Sequence, residues 1–227
     1  NTESVQNTAR DFLGQTVSTL NTQVSGRTLF AGTATDVHPI ASTEDLLAGL
    51  SAAVAGAGSV DDILTAAQAW FDDPAGFGTD VYFGSDTPLA PVALSDTDAV
   101  EFELRANDPL FRDTLRNLAL ISIADDPALA LSNTQKSELL QKTMITVFTN
   151  VDDITQLRGS IGTSEAHIEA VSVRNSSERS ALEMARNNLL SVDPFEAATE
   201  LEQVQFQLQS LYAITARSSQ LSLVNYL

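Results

Sequence analysis

Two histidines are the candidate general bases and metal ligands of this chain, His38 and His167, and it has no cysteine. A Ser/His/Asp arrangement needs a positioned base beside its nucleophile, and a metal site usually needs more than one imidazole. His38 precedes a proline, and His167 lies in a predicted helix, so neither is tied to a nucleophile. Ser160 lies between Gly159 and Gly162 but lacks the spacing of a nucleophile elbow. We therefore predict that the protein is not an enzyme.

Paired acidic residues are the other candidates for ligand binding. A helix–loop–helix calcium site needs alternating oxygen ligands, a turn glycine and a distal glutamate, and the acidic run 96–103 lacks the glycine. The glycines at 56–58 and 76–78 do not complete a phosphate-binding fingerprint. We predict neither a metal nor a cofactor and interpret the acids as helix caps and solvated surface. The pairs are Asp61 and Asp62, Asp72 and Asp73, Asp125 and Asp126, and Asp152 and Asp153.

The charge of the chain excludes two classes of partner. Its 227 residues include 12 Lys and Arg against 30 Asp and Glu, a formal charge of −18. Such a surface repels nucleic-acid phosphates and anionic membranes, and the apolar stretch 46–60 is shorter than the ~20 residues that a spanning helix needs. We predict neither nucleic acid nor membrane as a partner. Because the chain begins at Asn1 rather than at methionine, we expect a piece of a longer protein.

Apolar residues at helical spacing predict the main elements. One helix covers residues 1–26, and another covers 108–124 with a proline in its first turn. The proline-free stretch 135–191 predicts a single helix, on the order of 85 Å long, with a heptad seam. The pair Asp193 and Pro194 interrupts it before a last helix. The seam positions are Leu140, Val147, Ile154, Ile161, Ile168, Asn175, Leu182 and Leu189, where Asn175 either sets the register or turns toward solvent.

Residues 28–104 differ from the rest of the chain in composition. Between Thr28 and Leu104 there is no Lys or Arg, whereas there are thirteen Asp and Glu. Serines at 42 and 59, each followed by an aspartate three residues on, predict two capped helices, and 81–83 and 100–104 favour strands. Because crowded like charges prefer solvent, we expect residues 37–99 to be a surface insertion whose loss the fold tolerates.

These elements predict a mainly α fold: an elongated antiparallel helical bundle, or rod, with a long heptad-patterned helix, a small β-hairpin and a small acidic insertion. We expect the long helix to bury its apolar stripe against the helices at 1–26 and 108–124. The predicted parts are an N-terminal rod helix and loop (1–36), the acidic insertion (37–99), the rod helices (100–192) and a C-terminal amphipathic helix (193–227).

Both flanks of the chain, 1–36 and 100–227, resemble the flagellin superfamily. The segment 20–33, LNTQVSGRTLFAGT, is similar to the loop that leaves the family's N-terminal rod helix, in the form found in hook–filament junction members. Other residues are similar to the family's long C-terminal rod helix and C-terminal end. The loop residues are Gly26, Arg27, Phe30 and Gly32; the helix residues are Arg158, Ile161 and Gly162; the C-terminal residues are Glu196, Ala197, Leu201 and the run from Leu221 to Leu227.

The resemblance implies a structural subunit of the bacterial flagellum that joins hook to filament. It implies export by the flagellar type III apparatus with an export chaperone, and extracellular assembly with copies of itself and with other hook-junction and filament subunits. A filament flagellin with a short variable domain, or a cytoplasmic coiled-coil scaffold or adaptor, is the alternative. The apolar spacing in the last helix predicts an assembly surface rather than internal core. Its residues are Leu201, Val204, Leu208, Leu211, Leu221 and Leu223.

Overall fold

A computed structural model of the chain describes residues 2–191 and 194–224, with side chains described over 4–191 and 194–219. Helices dominate these residues, so the mainly α fold class is confirmed. The helices are α1 (Thr2–Leu20), α2 (Thr43–Val54), α3 (Val60–Asp72), α4 (Phe77–Asp80), α5 (Pro109–Ser122), α6 (Asn133–Leu190) and α7 (Pro194–Val224), with a 3₁₀ turn at Pro127–Leu129. The antiparallel strand pairs are β1 (Gln23–Val24) with β2 (Arg27–Thr28), and β3 (Val92–Ala93) with β4 (Ala99–Val100).

Local signals in the sequence located the helix starts correctly. The Ser42 and Ser59 side chains accept hydrogen bonds from the backbone N–H groups of Asp45 and Asp62, as predicted for α2 and α3. The single long helix predicted over 135–191 is α6, which has 58 residues. It ends shortly before α7 begins, so the predicted interruption is confirmed, although Asp193 itself lies outside the described residues.

The end of α1 was predicted at residue 26, six residues too late. The helix ends at Leu20, and a β-hairpin follows it. Ser25 and Gly26, with φ of 54° and 77°, form the two-residue turn between β1 and β2. Positive φ at both central residues is the geometry of a type I′ turn, which glycine adopts without steric cost. The Asn21 side chain also donates to Ile40 O at 2.8 Å and accepts from Ile40 N at 2.9 Å, which directs the chain away from the helix axis.

The predicted strand at 81–83 is also wrong. The backbone N–H groups of Val81 and Tyr82 both donate to Phe77 O, which continues α4, and Tyr82 makes only an isolated bridge with Ile40. The predicted strand at 100–104 is limited to its first residue, Val100, at the end of β4. Val100 pairs with Val92, and the next partner would be Pro91, which has no N–H to donate. A small hairpin is therefore present, at 92–100.

Contacts divide the chain into two compact units, Asn1–Val171 and Ser172–Leu227. The first unit contains one apolar core, to which α1 to α5 and the beginning of α6 contribute. The acidic stretch supplies much of that core. Between Ile40 and Tyr82 it is therefore not a surface insertion. Its carboxylates lie on the outer sides of helices whose apolar sides are buried. The fully buried core residues of this stretch include Leu46, Leu50, Ile63, Phe71 and Phe77. The four-part division of the chain remains a prediction.

The first turns of α6 pack on this core. Lys142 Nζ lies 2.7 Å from Asp61 Oδ1 of α3, and Leu139 is fully buried. Asn150, also buried, lies against α5. With its amide oriented to satisfy the hydrogen-bond network, its side-chain oxygen accepts from the Thr114 backbone N–H and from the Asn117 side-chain amide at 3.2 Å each. Buried polar groups of this kind need such partners, since an unpaired one costs ~1–3 kcal/mol.

The second unit, Ser172–Leu227, has a different character. Among its described side chains, Asn175 is half-buried and the others are exposed. The heptad seam is half-buried at Leu140, Val147, Ile154 and Ile161, but in this unit Leu182 and Leu189 are exposed.

Candidate assembly surface on the C-terminal helix

The predicted assembly surface on α7 is an exposed apolar stripe. Leu201, Val204, Leu208 and Leu211 follow one another at spacings of three, four and three, which places them on one side of a helix. Their exposed fractions lie between 47 and 59%. The side chains of Leu221 and Leu223, the other predicted members, lie outside the described residues. The stripe is therefore open within this chain.

A second apolar side of α7 was missed in the sequence analysis. Phe195 is 86% exposed and Phe206 73% exposed, and at 3.6 residues per turn they lie roughly opposite the stripe. Their spacing of eleven residues, or three helical turns, was the signal in the sequence that both lie on the same side of the helix. A helix that is apolar on more than one side is typical of a buried position.

The charge distribution along α7 favours association at the same place. Residues 203–216 contain no charged side chain, and glutamines separate the apolar residues at their start. The acidic side chains lie in the first turns, and Glu196, in the very first, interacts favourably with the helix dipole. In a chain with a charge of −18, copies repel one another except through uncharged surface of this kind.

The end of α6 adds further exposed apolar side chains to the second unit. Leu182, Met184, Leu189 and Leu190 are all at least 65% exposed. Exposed apolar patches that exceed the few hundred Å² common on monomers mark interaction sites. We therefore treat the whole second unit, rather than the stripe alone, as the candidate assembly surface.

The loop residues identified from the sequence, at 26–32, make contacts that hold the fold together. Gly26 completes the type I′ turn, and Arg27 Nε donates to Thr35 Oγ1 at 3.3 Å. The ring of Phe30 meets Phe111 of α5 edge to face, with centroids 5.8 Å apart. This loop fixes the end of α1 to α5.

Gly32 lies at a point where two backbone segments meet. It has a φ of +57°, and a Cβ there would overlap the carbonyl oxygens of Ser85 and Thr87. The neighbouring Thr33 N–H donates to Thr87 O at 3.0 Å, and Ser85 N–H donates to Ala31 O at 2.9 Å. Only glycine fits this approach.

The residues that could do chemistry are dispersed in the structure. His38 is exposed, and His167 lies 3.9 Å from Asp98. The Ser160 hydroxyl donates to Leu157 O within α6. Burial raises the pKa of Tyr82 to about 12, and its hydroxyl donates to Ser85 O. Over residues 2–191 and 194–224, no three His, Asp or Glu side chains come together as a metal site.

The geometry defines a class of protein element: two successive helices, the end of α6 and α7, that carry exposed apolar side chains. Residues 144–227 match the family described as the bacterial flagellin C-terminal helical region, and this segment contains most of α6 and all of α7. No curated protein and no solved structure matches the chain. Within the described part of the chain, no helix combines the length and apolar character that crossing a membrane requires.

Proposed function

We propose that this protein is an extracellular structural subunit of the bacterial flagellum that assembles with copies of itself through its second unit. The observation that carries the proposal is a coincidence in position: the segment similar to the flagellin C-terminal helical region contains the helices whose apolar side chains are exposed. A structural role also agrees with the dispersed titratable groups.

The energetics support assembly through α7. Full burial of a large apolar side chain stabilises by ~1.5–3 kcal/mol, so the four stripe residues together represent several kcal/mol of gross association free energy. The entropy that two partners lose when they associate offsets part of this free energy. Repetition of the contact around a closed or helical array adds to what one contact contributes.

Two charges placed on the stripe test this role. Val204→Asp with Leu208→Asp should leave the thermal unfolding temperature of the first unit nearly unchanged, because both side chains are exposed in the subunit. Concentration-dependent association, measured by sedimentation velocity, should fall at least tenfold. In cells, the variant should be exported but should not support filaments on hooks.

The matched control is Ser4→Asp with Thr8→Asp, which adds the same charge at the same spacing on exposed positions of α1, outside the second unit. It should retain association within about twofold of wild type, since these positions lie outside the proposed assembly surface. Equal loss in both variants would mean that net charge, rather than the apolar stripe, controls association. Unfolding of the first unit by the stripe variant would place the stripe in the subunit's own core.

Within the flagellum, we propose the position between hook and filament. The loop with Gly26, Arg27, Phe30 and Gly32, which resembles hook–filament junction members, supports this position. The proposal includes export by the flagellar type III apparatus, an export chaperone, and contacts with neighbouring hook-junction and filament subunits. A filament flagellin with a short variable domain is the second candidate, since the match is to the flagellin region itself.

Localisation of the tagged full-length protein separates these candidates. Immunogold electron microscopy should label a single site at the base of each filament for a junction subunit, and the whole filament for a flagellin. Deletion of the gene should leave hooks without filaments while the filament protein accumulates in the medium. Labelling confined to the cytoplasm would favour the scaffold or adaptor instead.

A further inference from the structure

Residues 88–104 form an arm that is anchored at both ends, which we call the acidic arm. At its beginning, Thr33 N–H donates to Thr87 O at 3.0 Å; at its end, Ala106 N–H donates to Phe30 O at 2.8 Å. Between these anchors the arm contains the β3–β4 hairpin, and its two strands each have only two residues. A two-stranded hairpin of this size is not stable by itself, so the position of the arm depends on what it contacts.

The acidic arm lies against α6 in a groove. Residues 100–104 line one side of the groove, and the α6 segment 157–168 lines the other, with apolar contributions from Leu157, Ile161 and Ile168. The arm contains four acids and no basic residue, and Glu165 of α6 also lines the groove. Like charges thus face each other across an apolar contact. The acids of the arm are Asp96, Asp98, Glu101 and Glu103.

One described contact between ionisable side chains crosses from the arm to α6 against this repulsion. His167 Nε2 lies 3.9 Å from Asp98 Oδ1, with 49% of the histidine side chain and 22% of the aspartate side chain exposed. The Ser95 hydroxyl donates to Asp98 Oδ2 at 2.9 Å and the Thr97 hydroxyl at 3.2 Å. These bonds orient the carboxylate, so that its other oxygen faces the imidazole.

We propose that protonation of His167 fastens the acidic arm to α6, and that loss of the proton loosens it. Carboxyl groups, Lys and Arg ordinarily keep their charge between about pH 5.5 and 8, whereas imidazole does not. The other charged residues of the two segments are Asp96, Glu101 and Glu103 of the arm, and Arg158, Glu165 and Glu169 of the part of α6 that belongs to the first unit. A histidine that faces a carboxylate can therefore supply an attraction that depends on pH in this range.

Hydrogen exchange of the full 227-residue chain tests the proposal. Protection of peptides covering 92–104 is measured by mass spectrometry at about pH 5.5 and 8, with labelling times scaled for the intrinsic pH dependence of exchange. For a partly exposed ion pair, we expect protection about 1.5- to fivefold higher at the lower pH. Peptides from α5 serve as an internal reference and should show no such difference.

Three variants identify the responsible group. His167→Gln, which is never charged, should have the weaker protection at both pH values, and His167→Lys, which is always charged, the stronger protection at both. His38→Gln removes the other histidine and should behave as wild type. A pH difference that persists in His167→Gln, that disappears in His38→Gln, or that is absent from wild type would overturn the proposal. Unchanged circular dichroism confirms that the variants fold.

Discussion

At the scale of single residues, Asp126 connects two elements that are distant in sequence. One carboxylate oxygen accepts from the Ser51 hydroxyl of α2 at 2.6 Å, and the other accepts from Ala128 N at 2.9 Å, where Asp126 caps the 3₁₀ turn. The Ser51 hydrogen bond, with the Ala128 N–H as the second cause, lowers the pKa of Asp126 below its ordinary value of 3.8. The ionised form therefore stabilises the folded chain.

Replacement of this carboxylate should have a pH-dependent effect. We expect Asp126→Ala to lower the free energy of unfolding by about 2 kcal/mol at neutral pH, from the lost cap and the lost charged hydrogen bond. A lowered folded-state pKa stabilises above the unfolded value, and this contribution is lost as pH falls through the folded value. The difference between the two proteins in urea unfolding should therefore begin to shrink below about pH 3.8 and vanish only as pH falls through the lowered folded-state pKa. A constant difference down to pH 2 would assign the effect to packing.

Gly32 gives a second prediction at this scale, with Gly56 as its matched control. Both have positive φ, +57° and +79°, but Gly56 has open space around its Cα while Gly32 faces two backbone oxygens. Alanine should cost about 1 kcal/mol at Gly56, from the left-handed conformation alone. At Gly32 it should cost at least about 2 kcal/mol, because backbone must move as well. Equal losses in denaturant unfolding would show that the contact with Ser85 and Thr87 relaxes easily.

At the scale of elements, α2 and α3 belong to the core of the first unit. Phe71 and Phe77 stack with ring centroids 4.9 Å apart, and Trp70 meets both edge to face. Single truncations of buried large residues cost ~2–5 kcal/mol each, whereas whole domains are stable by only ~5–15 kcal/mol. The acidic composition of these helices therefore describes their outer surface and not their importance to the fold.

Removal of α2 and α3 should accordingly unfold the first unit. Replacement of residues 43–75 by a short Gly/Ser linker should abolish the cooperative thermal transition in circular dichroism. As a control, replacement of 91–97, where every side chain is exposed or half-buried, should shift the unfolding temperature by only a few degrees. A sharp transition in the 43–75 variant would revive the expectation of a dispensable insertion.

At the scale of the whole molecule, the apolar core and the helices with exposed apolar side chains lie in different parts of the chain. The apolar core identified among the described residues lies within Asn1–Val171, whereas the described side chains of Ser172–Leu227 are nearly all exposed. Helices without tertiary packing are marginal in water even when their sequence favours helix. We infer that the first unit folds by itself and that the second depends on association.

Two fragments test this division. Residues 1–175 should unfold cooperatively within a few degrees of the full chain, because the core is retained. A peptide of residues 172–227 should be weakly helical at micromolar concentration and gain helix as its concentration rises. Concentration-independent, strongly helical circular dichroism of the peptide would contradict the inference, and so would loss of the transition in the longer fragment.

The sequence by itself determined the features that depend on neighbouring residues. The capped starts of α2 and α3, the proline start of α5 and the spacing of the apolar stripe on α7 are each encoded within a few helical turns, and the proline-free stretch encodes the length of α6. Caps, helical periodicity and proline act over such short distances, so one sequence suffices to recognise them. The flagellin-like character of the C-terminal region is of the same kind, because it is carried by a continuous segment.

Tertiary structure decided which apolar sides are covered and where strands pair. The acidic helices read as a surface insertion because composition averages over both sides of a helix, while burial depends on the side that meets α1 and α5. The ladder of β4 ends at Val100 because Pro91 stands opposite the next residue, which the pattern of 100–104 alone does not show. Contacts between residues far apart in sequence, such as His167 with Asp98, exist only once the fold has brought those segments together.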